Sequence, residues 1–272
     1  MVQFIRHYLL SLQFFTRVPV TGRLAQWVGY SPQMLRASAA HFPGVGWLVG
    51  GLVAGLSAVL LPALSPGAFA PLIVAALGTA FSLMLTGAFH EDGLADVADG
   101  LGGSHQRERA LDIMKDSRVG AFGAIAIAMA LMTKLALVAQ LGAMGAGVLV
   151  AAVFLGHVVS RTWPLLLIRL LPHVGDTAAS KSKPLADQIS IAALFVALLW
   201  CLAALALVVV CGHMALAPVL CALAASGLAF VWMGRMFAQR LQGFTGDCLG
   251  ATQQVCELAF YLGFVLGWGA RA

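Results

Sequence analysis

Apolar residues run in long blocks along this chain, and charged positions are largely confined to the gaps between them. Blocks near 41–62, 68–89, 119–140, 147–171, 189–211, 213–234 and 253–270 approach or exceed the roughly 20 residues that cross a hydrocarbon core about 30 Å thick as an α-helix. The pattern predicts an all-α integral membrane protein of about seven transmembrane helices. Six is the alternative, because Cys211-Gly212-His213 is nearly the only polar punctuation between the fifth and sixth blocks. Residues 1–18 read differently. Phe4, Ile5, Leu9, Leu10, Phe14 and Phe15 mix with Arg6, His7, Gln13 and Arg17, too polar and too short for a span, and fit an interfacial amphipathic helix. The signal-peptide pattern of basic start, apolar stretch and small-residue cleavage site is missing, so this helix is expected to stay on the mature protein.

Composition agrees with the blocks: 61% of the 272 residues are hydrophobic and 10% charged, well below the roughly 25% charged content of a soluble domain. Orientation follows from Lys and Arg, which are retained on the cytoplasmic side. With the N-terminus cytoplasmic, all of the 16 basic residues except Lys134 and Arg271 fall inside. The expected location is the cytoplasmic (inner) membrane of a prokaryote, with the lipid bilayer as the first partner. Topology accounts for the net charge of +5, and no basic-aromatic stripe accompanies it, so no nucleic-acid partner is expected. The cysteines, Cys201, Cys211 and Cys221 among them, show neither metal-ligand nor disulfide spacing. Without an internal repeat or linker, 1–272 reads as a single polytopic domain; a homo-oligomer is compatible with it.

Chemistry concentrates in the predicted cytoplasmic segments 90–118 and 235–252. Seven of the eleven acidic residues lie within 91–116. Asp92, Asp96 and Asp99 stand at i, i+4 and i+7, which on a helix of about 100° per residue places three carboxylates within an arc of roughly 60°. Their mutual repulsion calls for a cation, and oxygen-only ligands suit Mg²⁺, with Mn²⁺ as the alternative. Glu91 lies about a quarter turn away and needs local unwinding to ligate; His90 points opposite the Asp face. Gly100, Gly102 and Gly103 are expected to end this helix. Ser104 is expected to cap a second one reaching Lys115, on which Asp112 and Asp116 share a face. Carboxylates on both helices have the capacity for two metal ions, the number itself being left open by the sequence, with Lys115 and Arg118 beside them as phosphate ligands.

Asp96-x-x-Asp99-Gly100 followed by Asp112-x-x-x-Asp116 is similar to the motif of CDP-alcohol phosphotransferases, although no Ala-Arg follows Gly100 and the gap between the pairs is shorter. A more specific resemblance covers nearly the whole chain. Phe15-Thr16-Arg17-Val18-Pro19, Phe42-Pro43-Gly44-Val45-Gly46, the stretch from His90 to Gly100, Ile113-Met114-Lys115-Asp116-Ser117-Arg118-Val119-Gly120 and Gly243-Phe244-Thr245-Gly246-Asp247-Cys248-Leu249-Gly250-Ala251 occur in this order. Together they resemble the cobalamin synthase (adenosylcobinamide-GDP ribazoletransferase) family. That family commonly ends its first motif Pro-x-Pro, where Pro19 is here followed by Val20 and Thr21. The resemblance implies a Mg²⁺-dependent transferase that joins adenosylcobinamide-GDP to α-ribazole or its 5′-phosphate, giving adenosylcobalamin or its 5′-phosphate and releasing GMP.

Under this reading Asp92, Asp96, Asp99 and Asp116 are the catalytic carboxylates, with His90 or a cluster Asp as general base. Glu91, Asp92, Asp96, Asp99, Asp112, Asp116 and Asp247 are the metal candidates. Thr245, Gly246 and Asp247 occupy a glycine-flanked loop between the last two spans, where backbone N–H groups can approach phosphate. Arg161 is a phosphate clamp or a snorkelling anchor; Arg17 is a phosphate ligand or a membrane anchor. Pro43-Gly44 and Gly46 with Gly50 and Gly51 are expected to form a close-packing face for a neighbouring helix. Lys134 is a functional charge or snorkels outward, and Glu257 is placed to support the Asp247 loop. A cation transporter is disfavoured because the carboxylates lie at a span's end rather than mid-membrane.

Overall fold

The computed structural model describes residues 2–175, 188–211 and 214–269. Lys181 and Lys183 of the charged segment, Gly212 and His213 of the fifth break, and Arg271 lie outside the described residues. The described chain is helical, with one isolated bridge between His173 and Phe244. Its helices are α1 (Val2–Phe15), α2 (Gly22–Val28), α3 (Pro32–Ser38), α4 (Phe42–Ala63), α5 (Ala70–Thr86), α6 (Phe89–Gly103), α7 (Arg107–Met114), α8 (Ala121–Met144), α9 (Ala146–Ser160), α10 (Trp163–Leu170), α11 (Ile191–Ala206), α12 (Leu216–Arg240) and α13 (Gly246–Gly269). Six helical stretches are long and apolar enough to cross a membrane: Pro32–Ala63, Ala121–Met144, Ala146–Leu170, Ile191–Val210, Leu216–Arg240 and Gly246–Gly269. The remaining predicted span is α5, of 17 residues, which joins α6 at an 89° bend.

That bend turns the acidic helix across the end of the bundle. It forms at Gly87 and Ala88, both in the left-handed region with φ of 66° and 57°. Glycine adopts this conformation freely, whereas alanine is strained in it. Arg17 holds the corner: its backbone N–H donates to the Leu85 carbonyl (2.7 Å), and its guanidinium occupies the space a side chain at Gly87 would need. The N-terminal helix is present as expected, with Val2, Phe4 and Ile5 exposed and Leu10, Leu12 and Phe15 buried.

Close helix contacts depend on missing side chains. A β-carbon at Gly46 would stand 2.5 Å from the His157 carbonyl oxygen, and one at Gly50 2.9 Å from the His157 Cβ, so α4 and α9 pack at the distance that only glycine permits. Gly51, grouped with them on sequence, faces open space. Gly100 does not end α6, which runs on to Gly103. It allows α7 to fold back instead, since a β-carbon there would lie 2.8 Å from the Ala110 carbonyl oxygen. Nor does Ser104 cap α7. Its hydroxyl accepts from Gln106 N–H (3.1 Å), and α7 starts only at Arg107.

The predicted cytoplasmic segments gather at one end of the bundle. Arg107 Nε donates to the Leu241 carbonyl (2.6 Å), and Arg240 Nη2 donates to the Leu101 and Ser104 carbonyls (3.0 and 2.7 Å). Val174 N–H donates to the Phe244 carbonyl (2.8 Å), and Phe244 N–H to that of Pro172 (3.0 Å). Sequence segments more than a hundred residues apart thus form one surface.

Candidate active site

The site is built where α6 crosses the first turn of α13. Gly93 makes the crossing tight: a β-carbon there would approach the Asp247 carbonyl oxygen to 2.7 Å. The last predicted span starts earlier than the apolar pattern indicates, so Gly246 and Asp247 belong to a helix rather than a loop. Asp247 thereby lies in the first turn of a 24-residue helix, whose N–H groups and dipole favour negative charge. Thr245 Oγ1 donates to its Oδ2 (3.2 Å).

Along α6 the three aspartates grade inward. Asp92 is exposed, Asp96 half-buried and Asp99 buried. The Asp96 carboxyl is raised to about 7, first by burial and then by the charges of Asp247, Asp92 and Asp99. None of Asp92, Asp96 and Asp247 forms an ion pair with Lys or Arg among the described residues. Asp99 is engaged elsewhere: its carboxylate accepts the N–H groups of Gly120 (2.7 Å) and Gly123 (2.8 Å), which start α8. It anchors a span to the acidic helix while adding its charge to the group.

The second carboxylate pair is not brought into this cluster. Asp112 lies 3.9 Å from Lys115, and Asp116 is bound by Arg118 through two guanidinium nitrogens at 2.6 and 3.0 Å. That pairing lowers the Asp116 carboxyl to about 2. The charges acting on Asp96 include neither. Among the described residues no three His, Cys, Asp or Glu side chains stand in finished metal-holding geometry.

A family model for cobalamin-5-phosphate synthase matches residues 7–265. The chain belongs to the cobalamin-5-phosphate synthase family. It is 66% identical to the adenosylcobinamide-GDP ribazoletransferase of Albidiferax ferrireducens over 98% of its own length and 100% of that protein's. It is 60% identical to the one of Polaromonas sp. over 97% and 98% of the two chains, and 41% identical to one from Vibrio cholerae over 94% and 91%. No solved structure gives a significant match.

In this synthase-family chain the remaining predicted residues lie beneath the acidic surface. Glu91 faces inward, and its Oε1 accepts from Gln254 Nε2 (2.9 Å). Gln254 also donates to Gln253 (2.9 Å), and Gln253 to Glu257 Oε2 (2.7 Å) and Ser160 (2.9 Å). Glu257 then meets Lys134 Nζ at 2.7 Å and the Tyr261 hydroxyl at 2.9 Å. Lys134 does not snorkel; it is 4% exposed and paired. Glu257 belongs to this ion pair, ten residues and nearly three turns of helix beyond Asp247. Arg161 is no snorkelling anchor either. It is 1% exposed, and Nη1 donates to the His157 carbonyl (2.9 Å) beneath the ring of Phe42. Sequence reading missed Gln253, Gln254, His157 and Tyr261. Their only local signal is polarity inside an otherwise apolar span.

Proposed function

We propose that the chain is an adenosylcobinamide-GDP ribazoletransferase, joining that donor to α-ribazole or its 5′-phosphate with release of GMP. The observation that carries the mechanism is the uncompensated group of Asp92, Asp96 and Asp247 at the crossing of α6 and α13. Among the described residues these three oxygen-donor side chains have no cationic partner, and they fit a hard divalent ion. They would hold Mg²⁺, or Mn²⁺, which supplies charge neutralisation for a pyrophosphate. The chain's own part is to place and orient. The first turn of α13 offers backbone N–H groups to phosphate oxygens through Gly246 and Asp247. Arg17 is exposed at the α5–α6 corner, where its guanidinium lies against Gly87, two residues before the acidic helix. A cluster carboxylate takes the proton of a ribose hydroxyl other than the 5′, which is free in both acceptors, as that oxygen bonds to the cobinamide-bearing phosphorus in line and the bond to GMP breaks. Lys115 and Arg118, on the neighbouring surface, would turn from their carboxylate partners to the incoming pyrophosphate.

Purified protein supplied with adenosylcobinamide-GDP, α-ribazole and Mg²⁺ should form cobalamin and GMP in equal amounts. Absence of turnover from folded protein would refute this reading. A CDP-alcohol phosphotransferase would instead consume CDP-linked donors in the same assay.

The reaction surface is proposed to face the cytoplasm, because the basic residues gather at that end. Single cysteines placed in 104–109 and at 242 should stay unlabelled by an impermeant maleimide in intact cells and become labelled after permeabilisation. Labelling of either in intact cells would invert the topology.

A further inference from the structure

The span α11 packs against α4, α9 and the turn Ala39–His41. Trp200 pins it there: the Trp47 indole N–H donates to the Trp200 carbonyl (2.9 Å), and the Trp200 ring lies where a β-carbon at Gly44 would meet it at 2.8 Å. Another flank of α11 borders a groove of about 550 Å³, whose far wall is the α9–α10 junction with Leu223 of α12. A space of about 10–15 Å³ lodges one water, so this groove has room for a long chain molecule. Its lining on α11 runs from Ile191 to Leu205, about 21 Å at 1.5 Å per residue, more than the roughly 15 Å of hydrocarbon in one leaflet. Both walls belong to stretches long and apolar enough to cross a membrane, and Ile191, Phe195, Leu198 and Leu202 of the lining are exposed, so the groove opens sideways toward lipid. The two strong hydrogen-bonding side chains in the lining are used internally. Thr162 Oγ1 donates to the Val158 carbonyl (3.2 Å), and the Trp163 indole N–H donates to Ser226 Oγ (2.7 Å). What remains is a hydrocarbon surface that offers nothing to a polar ligand.

The wall ends on a charge. Val159, Thr162, Trp163 and Leu166 follow one another at helical spacing, and Arg169, i+3 from Leu166 and i+7 from Thr162, continues the stripe at an exposed position. Beyond the end of α10 at Leu170, Val174 pairs with Phe244, so Arg169 stands toward the end of the bundle that carries the acidic cluster. We propose that the groove holds one acyl chain of an anionic phospholipid, with the lipid phosphate at Arg169. An unfilled groove would forfeit dispersion contacts along its whole lining, and one flexible chain restores them. A cation at head-group level selects lipids of net negative charge. Charge also decides against a second copy of the chain as the occupant. Two copies in one membrane share an orientation, so the basic end that carries Arg107, Arg235 and Arg240 would come against Arg169.

Native mass spectrometry of the full-length protein in detergent tests this, with phosphatidylglycerol and phosphatidylcholine of identical acyl chains as probes. The wild type should retain one phosphatidylglycerol about fivefold better than phosphatidylcholine, the factor that one interfacial cation supplies. Arg169→Gln should bring the two lipids level while still binding both. Leu198→Trp and Leu202→Trp, at exposed positions whose enlarged side chains fill the groove, should each cut retention of both lipids about tenfold. A phosphatidylglycerol with a diazirine in its acyl chain should crosslink to the wild type within 159–166 and 191–205, a readout that stands if a variant does not fold. Equal wild-type retention of the two lipids, unchanged retention in the folded tryptophan variants, or crosslinks spread evenly over the spans would overturn the site. So would a dimer that Leu202→Trp dissociates, because the groove would then belong to a second copy.

Discussion

Asp96→Asn and Asp247→Asn should each lower turnover by about 100-fold or more at fixed Mg²⁺, with folding intact. Even outer groups that only orient a metal ligand are worth about 10-fold to 100-fold in affinity or activity, and these side chains would touch the ion itself. The asparagine oxygen can still coordinate, but the charge that draws a divalent cation is gone. Asp92→Asn should fall in the same class. Asp99→Asn should not. Its carboxylate holds the first amides of α8, and an amide side chain can accept at only one of its two positions. The other would meet Gly120 or Gly123 N–H with a donor, at a cost of about 1–3 kcal/mol. Asp99→Asn should therefore reduce thermal stability in detergent while changing the Mg²⁺ dependence little. Turnover at several Mg²⁺ concentrations and a melting curve separate the cases. Near-normal activity of Asp96→Asn and Asp247→Asn would reduce the cluster to a solvated acidic surface.

The contrast between Asp96 and Asp99 shows where local pattern stops. Spacing places Asp92, Asp96 and Asp99 on one helical face, and the face exists. That Asp99 is claimed by amides more than twenty residues later follows only from how α8 docks. The apolar blocks made the spans legible, because hydrocarbon tolerates only helices with satisfied backbones. The start of α13 was not legible, because Gly246 to Gln254 is too polar to register as membrane-spanning. Those polar side chains are buried within the bundle: Thr252 and Gln253 are 0% exposed and Gln254 is 3% exposed. The 89° turn at Gly87-Ala88 was hidden for a related reason. Two left-handed residues redirect the helix without interrupting the apolar run that precedes it.

The largest expected effect on stability belongs to the Lys134–Glu257 pair. Lys134→Met leaves Glu257 with the hydroxyl of Tyr261 and the amide of Gln253 but without its contact cation. Glu257→Gln leaves an ammonium 4% exposed inside a span. Removing one partner of a buried pair strands the other charge, at a cost of about 3–5 kcal/mol, whereas replacing both is often neutral. Each single variant should thus unfold far more readily in detergent, and Lys134→Met/Glu257→Gln should recover most of the loss. Recovery has a limit set by the rest of the buried group. Lys134 and Arg161 stand against Glu257 and Glu91, so removing Lys134 and Glu257 together preserves the balance that either single change breaks. The same chain of contacts runs through Gln253 and Gln254 to Glu91, the residue before Asp92. Turnover should therefore fall in the single variants even at temperatures where they remain folded, and rise again in the double variant. Strictly additive losses in stability would show that the two charges act independently, and the buried pair would then have no part in holding α8 on α13.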